Sequence, residues 1–138
     1  MNDAARELRR AAQRARDAGR TDEALELQRE AVALLREDGE DRAALAHALR
    51  HVGDILREAG RAAEADESTV EMLALYRALP DAPALDIANA IRSAALQAEA
   101  MGRPDADLWR EARERYDATG IGPGVAEAER HIAALAAG

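Results

Sequence analysis

The chain has 138 residues with no cysteine and no phenylalanine, and its formal net charge at pH 7 is −8. The length is enough for one hydrophobic core, and the lack of cysteine excludes disulfides and thiolate chemistry. The negative charge argues against a general nucleic-acid binder, since affinity for phosphate backbones comes from clustered positive charge. No apolar run approaches the roughly 20 residues that cross a bilayer, and the first residues lack the apolar stretch of a secretory signal. We therefore expect a cytoplasmic protein without nucleic-acid or membrane partners.

Glycine residues divide the chain into Ala- and Leu-rich stretches. Gly19, Gly60 and Gly102 stand in the similar segments DAGR, EAGR and AMGR, at intervals of 41 and 42 residues. Each glycine follows one such stretch and precedes another, which is typical of a turn at a helix C-terminus. Further stops occur at EDGED, LPDAP and TGIGPG,. The pattern predicts an all-α protein with seven helices, over residues 3–18, 22–37, 41–59, 62–78, 84–101, 104–119 and 124–136.

One short motif recurs at the start of successive helix pairs. LAHALRH at residues 45–51 is nearly repeated as IANAIRS at 87–93 and echoed by VAEAERH at 125–131. A single helix pair cannot cover its own apolar side, so such units stack and each buries its neighbour's face. We interpret the chain as one domain, 1–138, built of three repeats and a capping helix: 3–37, 41–78, 84–119 and 124–136. The predicted core comprises Leu8, Leu25, Val32, Leu35, Leu49, Val52, Leu56, Leu73, Ile91, Trp109 and Ile132.

The repeats resemble the tetratricopeptide repeat (TPR). The middle unit carries that family's order of residues as Leu49, Val52-Gly53, Leu56, Gly60 and Ala65,. The first unit carries Leu8, Ala11-Ala12, Ala15, Gly19, Ala24 and Ala31, and the third carries Ile91, Ala94-Ala95, Ala98 and Gly102. The second helix of the third unit is expected to begin two residues early, which places Trp109, Ala112 and Tyr116 where Thr69, Met72 and Tyr76 lie in the second unit.

The period of 41–42 residues exceeds the family's common period of about 34 residues and is closer to the long-helix subtype of kinesin light chains. The resemblance implies a right-handed α-solenoid of stacked helix-turn-helix units, about 3.5 of them. It also implies a non-enzymatic protein-interaction module, whose first helices line a concave groove for a peptide or protein partner.

One column of arginines is predicted to line this groove, because Arg9, Arg50, Arg92 and Arg130 hold the same place in four successive first helices. Guanidinium groups bind carboxylates and phosphates bidentately. The sequence therefore predicts binding of an acidic or carboxylate-bearing peptide. The alternative is that these arginines pair within the chain, for example Arg50 with Asp54 one turn on. The remaining predicted groove residues are Arg6, His47, His51, Asp54 and Asn89.

Two other functions stay open. The basic first helix and the acidic remainder would attract one another head to tail, which would make the chain a homo-oligomer or scaffold. His47 and His51, spaced i and i+4, would suit zinc and a metal-dependent hydrolase. Position 48, however, is Ala where a metalloprotease helix has Glu, and no third ligand is in view,. We expect no enzyme activity, no cofactor and no metal.

Overall fold

The computed structural model describes residues 2–138 and contains seven α-helices, which confirms the predicted helix count and the all-α fold. Within the described residues there is no β-strand. None of the helices in this part of the chain combines the length and the apolar character needed to span a bilayer. The helices are α1(Asp3–Asp17), α2(Thr21–Asp38), α3(Arg42–Glu58), α4(Ala62–Arg77), α5(Ala84–Ala100), α6(Ala106–Ala118) and α7(Gly122–Ala137).

The turn inside each helix pair is built on a glycine with positive φ. Gly19, Gly60 and Gly102 have φ values of +76°, +78° and +73°, a backbone region in which a Cβ atom is strained. In each turn the N–H of the next residue donates to the carbonyl five residues earlier, over 2.8 Å in all three. This bond satisfies one of the carbonyls left unpaired at the helix end and starts the return helix.

Alanine lies at the contacts between helices, where each helix packs against the next one in the chain. Small side chains allow the helix axes to approach closely, and larger side chains fill the seams between them. Leu35, Leu56, Met72, Ile91 and Trp109 are the largest fully buried side chains. The alanines with no exposed surface are Ala5, Ala15, Ala24, Ala31, Ala46, Ala48, Ala65, Ala88, Ala90, Ala95, Ala112 and Ala128.

Most of the predicted core is buried. Four members, Leu8, Val32, Leu73 and Ile132, are only half-buried. They lie on helix faces that the stack covers in part. The fully covered members of the predicted core are Leu25, Leu35, Leu49, Val52, Leu56, Ile91 and Trp109.

The second helix of the third repeat keeps the predicted register but not the predicted start. Trp109, Ala112 and Tyr116 are buried, as are their counterparts in α4. The helix nevertheless begins late, at Ala106. Asp105 sets this start as the N-cap, because its Oδ1 accepts the N–H groups of residues 107 and 108 at 3.0 and 3.2 Å,.

The last helix begins two residues before the predicted start, at Gly122 instead of residue 124. Pro123 therefore lies within its first turn, where a missing N–H costs nothing. Gly124 lies directly over the ring of Tyr116, and a Cβ atom there would come within 2.5–2.7 Å of Cγ, Cδ1 and Cδ2. This contact holds α7 close against α6.

We expect Gly124→Ala to destabilise the protein by about 1–3 kcal/mol, because the added methyl group forces Tyr116 out of place. Urea unfolding monitored by circular dichroism measures the effect. Gly122→Ala is the matched control, since a Cβ atom at Gly122 meets nothing within 4 Å. Equal stabilities for the two variants would contradict the close packing of α7 on Tyr116.

Candidate functional site

Polar side chains join four helices side by side. These are the first helices of the repeats, α1, α3 and α5, and the last helix, α7. Between α1 and α3, Arg16 Nη2 donates to Glu58 Oε2 at 2.6 Å. Between α5 and α7, His131 Nδ1 lies 2.8 Å from Glu99 Oε1. We call the side of the molecule formed by these four helices the first-helix surface. All nine predicted binding residues belong to these helices.

Asp54 lies inside the structure, between α3 and α5, although a groove-lining position was expected. Its carboxylate is 7% exposed and accepts hydrogen bonds from two arginines, Arg50 at 3.3 Å and Arg57 at 2.9 Å. Ser93 Oγ of α5 also donates to it, at 3.3 Å. Arg50, whose side chain is 13% exposed, is thus paired with Asp54 within the chain.

Arg92 is also paired within the chain. Its guanidinium contacts the carboxylate of Glu127 in α7 through two atoms, Nε with Oε1 and Nη2 with Oε2, the second at 3.0 Å. This bidentate pair holds the pKa of Glu127 below its usual range. Asn89 Oδ1 accepts a hydrogen bond from the Tyr116 hydroxyl at 2.6 Å, and Arg130 is exposed. In the C-terminal half of the predicted arginine column, the positive charge of Arg92 is therefore neutralised by Glu127 of the same chain.

The N-terminal half of the first-helix surface contains a cavity of about 250 Å³ between α1, α2 and α3. We call it the basic pocket. Arg9 is half-buried in it, and burial lowers the pKa of its guanidinium. The residues that line the basic pocket are Arg6, Arg9, Arg10, Gln13, Gln28, His47 and His51.

The two histidines of the basic pocket face one another, with their Nε2 atoms 3.0 Å apart. Arg16 Nη1 lies 3.3 Å from the other ring nitrogen of His51, Nδ1. Since arginine only donates, this Nδ1 accepts, and the proton of a neutral His51 is on Nε2. His51 therefore donates to His47 Nε2, and the proton of His47 is on Nδ1. The pair holds both side chains in defined tautomers.

Both histidines are held neutral. Burial, assisted by the charges of Arg9 and Arg50, lowers the pKa of His47 to about 4. Burial and Arg50 lower the pKa of His51 to about 3. The one nearby carboxylate that opposes this effect on His47 is Asp54. Loss of solvation is the larger cause of both shifts, and the charges of the neighbouring arginines add to it by disfavouring a further positive charge,.

In the described part of the chain, His47 and His51 do not belong to a larger group of metal-ligating side chains. Among residues 2–138, no group of three or more His, Asp or Glu side chains is placed to hold a metal ion. The facing nitrogens of His47 and His51 are taken up by their mutual hydrogen bond.

No family model matches the sequence, and no curated protein matches it. The structure is similar to that of BtubC (BKLC) from P. vanneervenii, with a TM-score of 0.56 and 17% sequence identity. The similarity covers 93% of this chain and 63% of BtubC. The chain has a fold similar to that of tetratricopeptide-repeat proteins. The predicted resemblance to TPR units of the kinesin-light-chain-like subtype is thereby confirmed as a likeness of fold.

Three lining residues of the pocket in this TPR-like solenoid, Arg10, Gln13 and Gln28, were missing from the predicted set. Arg10 follows Arg9 in α1, and Gln13 lies one turn beyond Arg9 in the same helix. Gln28 is only 3% exposed and belongs to a second helix, whose side chains were not considered for the groove. The sequence did contain a signal for Gln28, because it is a polar residue on the apolar face of the helical segment QREAVALL. A polar side chain on a buried face needs a partner or a ligand.

We expect Asp54→Asn to destabilise the TPR solenoid by about 3 kcal/mol, because it leaves the buried charges of Arg50 and Arg57 without a counter-ion. Chemical unfolding measures the loss. Asp3→Asn is the matched control, since the Asp3 carboxylate is 96% exposed and its ion pair contributes little. A loss below 1 kcal/mol for Asp54→Asn would contradict the role given to this carboxylate.

The depressed histidine pKa values also predict a pH dependence. An unfolded histidine takes up a proton below about pH 6.5, whereas His47 remains neutral in the folded state until about pH 4. The unfolded state then binds more protons, so stability falls as the pH is lowered from 6.5 towards 4, by on the order of 1 kcal/mol per pH unit.

The measurement is the free energy of unfolding between pH 7 and pH 5, above the range in which carboxylates protonate. His47→Gln/His51→Gln is expected to flatten the curve in this range. An equally steep curve for wild type and this variant would contradict the assignment of the neutral state to the pair.

Proposed function

We propose that the protein is a non-enzymatic interaction module whose first-helix surface binds an acidic peptide or protein segment, with the basic pocket as the anchoring site. The observation that carries the proposal is the charge of this pocket. Three arginines line it, and none of the described residues that line it carries a carboxylate. Arg6 and Arg10, the exposed arginines among them, present guanidinium groups that an acidic group of a partner can bind bidentately,.

The division of the arginine column supports this location. Arg50 and Arg92 are bonded to Asp54 and Glu127. An incoming carboxylate has to compete with these acids at the middle and C-terminal end of the column. Arg6 and Arg10, by contrast, form ion pairs with exposed acids one turn back in their own helix, Asp3 and Glu7. Exposed pairs of this kind contribute little and exchange readily.

The architecture also supports a binding function. Stacked repeats place equivalent positions of successive first helices along one extended surface, and repeat proteins use such surfaces to bind partners. Self-association is the alternative function, and the sedimentation measurement described below tests it. Among residues 2–138, no third ligand stands beside the two histidines to support hydrolysis at a metal ion.

The test is the binding of a fluorescein-labelled hexaglutamate peptide, measured by fluorescence anisotropy at low ionic strength. Wild type is expected to bind this peptide, to release it as salt is added, and not to bind hexalysine. Arg6→Glu/Arg10→Glu is expected to lower the affinity about tenfold or more, because two attractive charges become repulsive.

Arg29→Glu/Arg110→Glu is the matched control. It changes the net charge equally at exposed positions on the second helices α2 and α6. Equal losses in the two double variants would show that net charge alone attracts the peptide, and no binding by wild type would overturn the proposal. Sedimentation velocity over a range of protein concentrations accompanies the test, and a rising mass would favour the scaffold alternative.

A further inference from the structure

His47 offers the basic pocket a hydrogen-bond donor without a charge. His51 donates to its Nε2 over 3.0 Å, so the proton of a neutral His47 is on Nδ1,. This tautomer depends on Arg16, whose Nη1 lies 3.3 Å from His51 Nδ1 and can only donate,. The Nδ1–H group of His47 is therefore fixed by two successive hydrogen bonds that begin at α1.

The Nδ1–H group of His47 has no acceptor among the described residues. The contact with His51 is the one hydrogen bond that the His47 side chain forms in this part of the chain. Nδ1 is not fully buried either, and the residue lines the basic pocket. A ligand in the pocket can therefore reach this donor, and an unpaired donor favours a ligand that accepts a hydrogen bond.

This donor belongs to a neutral ring. The pKa of His47 is lowered to about 4, by burial first and then by the charges of Arg9 and Arg50, against the opposing charge of Asp54. The pKa of its partner His51 is lowered to about 3, again by burial first. At neutral pH both rings are uncharged, so His47 attracts an anion by hydrogen bonding and adds no net charge.

The other lining residues determine which acceptor fits beside this imidazole. Arg6 and Arg10 form ion pairs with exposed acids of α1, and such pairs exchange at little cost. Gln13 donates to Asp17 over 2.8 Å, and Arg9 has an interaction within the chain. A carboxylate is an acceptor with two oxygens, one for a guanidinium and one for the imidazole N–H. The cavity of about 250 Å³ has room for it, since a water molecule takes about 30 Å³.

We propose that His47 is a ligand of the partner's carboxylate in the basic pocket, donating from Nδ1 to one oxygen while a guanidinium of Arg6 or Arg10 binds the other. This inference rests on the proposed function and assigns a neutral, specificity-determining donor to the same site. His51 is a positioning residue, because it acts by fixing the tautomer of His47. The pocket then recognises a carboxylate by the direction of its donors as well as by charge.

The test uses the labelled hexaglutamate peptide and compares two substitutions at position 47. His47→Asn keeps an N–H group at the position of Nδ1, whereas His47→Gln keeps a polar group at the position of Nε2 only. His47→Gln is expected to lower the affinity about tenfold, because hydrogen bonds to charged groups are the stronger ones. His47→Asn is expected to stay within about threefold of wild type. Circular dichroism checks that both variants are folded.

The salt dependence of binding separates the neutral donor from the charged ones. Loss of a charge reduces the slope of log affinity against log salt concentration, whereas loss of a neutral donor lowers the affinity by the same factor at every salt concentration. His47→Gln is expected to keep the wild-type slope, and Arg6→Gln/Arg10→Gln to have a smaller one. A reduced slope for His47→Gln would overturn the neutral donor, since a charged imidazole would then contact the peptide.

Nitrogen-15 NMR of the imidazole rings gives a reading that a purely structural role of His47 would not change. In wild type at pH 7 the proton of His47 is expected on Nδ1, and hexaglutamate is expected to shift that resonance. His51→Leu removes the donor to Nε2, so the proton of His47 is expected to distribute over both ring nitrogens. A wild-type His47 with its proton on Nε2 would overturn the assignment.

The outcomes separate this inference from the proposed function. Equal affinities of wild type, His47→Gln and His47→Asn would overturn the role of His47 and leave the acidic-peptide function standing. Equal losses in the two folded variants would also overturn it, because the shape of the ring and not its N–H group would then matter. No binding of hexaglutamate by wild type would overturn both the proposed function and this inference.

Discussion

Close packing through alanine is the constraint on which the rest of this structure depends. With no phenylalanine and a single tryptophan in the sequence, wide gaps between helices cannot be filled, so helix axes must approach until alanines touch. Twelve alanines have no exposed surface. Each approach also brings the polar side chains of neighbouring first helices within hydrogen-bonding distance. The contacts of Arg16 with Glu58, and of Ser93 with Asp54, span such seams.

The same close approach makes the two ends of the first-helix surface electrostatically different. Towards the C-terminus, α7 carries Glu127 against Arg92, and the local charge is balanced inside the chain. Towards the N-terminus, α1 brings three arginines to a cavity whose other lining residues are glutamines and histidines. Burial of the His47–His51 pair there keeps it neutral. A column of arginines that is uniform in the sequence thus has different surroundings at its two ends in the structure.

The sequence predicted the features that depend on a few neighbouring residues. A glycine that needs positive φ, as at Gly60, and a motif that recurs at 41–42 residues specify a helix pair locally. The start of α6 was misplaced because one side chain, Asp105, caps it. The ion pair of Arg50 with Asp54 was named as the alternative to ligand binding, because the two residues are one helical turn apart.

The bond of Arg92 with Glu127 was not foreseen, because it joins residues 35 positions apart. A pattern read along the chain shows which residues share a column, but it does not show which acid of the next unit reaches each arginine. Gln28 was overlooked for a related reason. Its approach to the first-helix surface depends on how deeply α2 packs between α1 and α3. Such placements follow from packing in three dimensions, which periodicity alone does not specify.

The position of α7 at the end of the array has a consequence for cooperativity. Ala128 is its one buried residue, whereas α3 contributes ten and shares the buried Asp54 network with α5. In a linear array each unit is stabilised by its neighbours, and a terminal helix, which has a neighbour on one side only, opens more readily than the middle. Opening of α7 removes Glu127 from Arg92 and leaves that guanidinium without its counter-ion. The charge of the first-helix surface therefore depends on whether its last helix is folded.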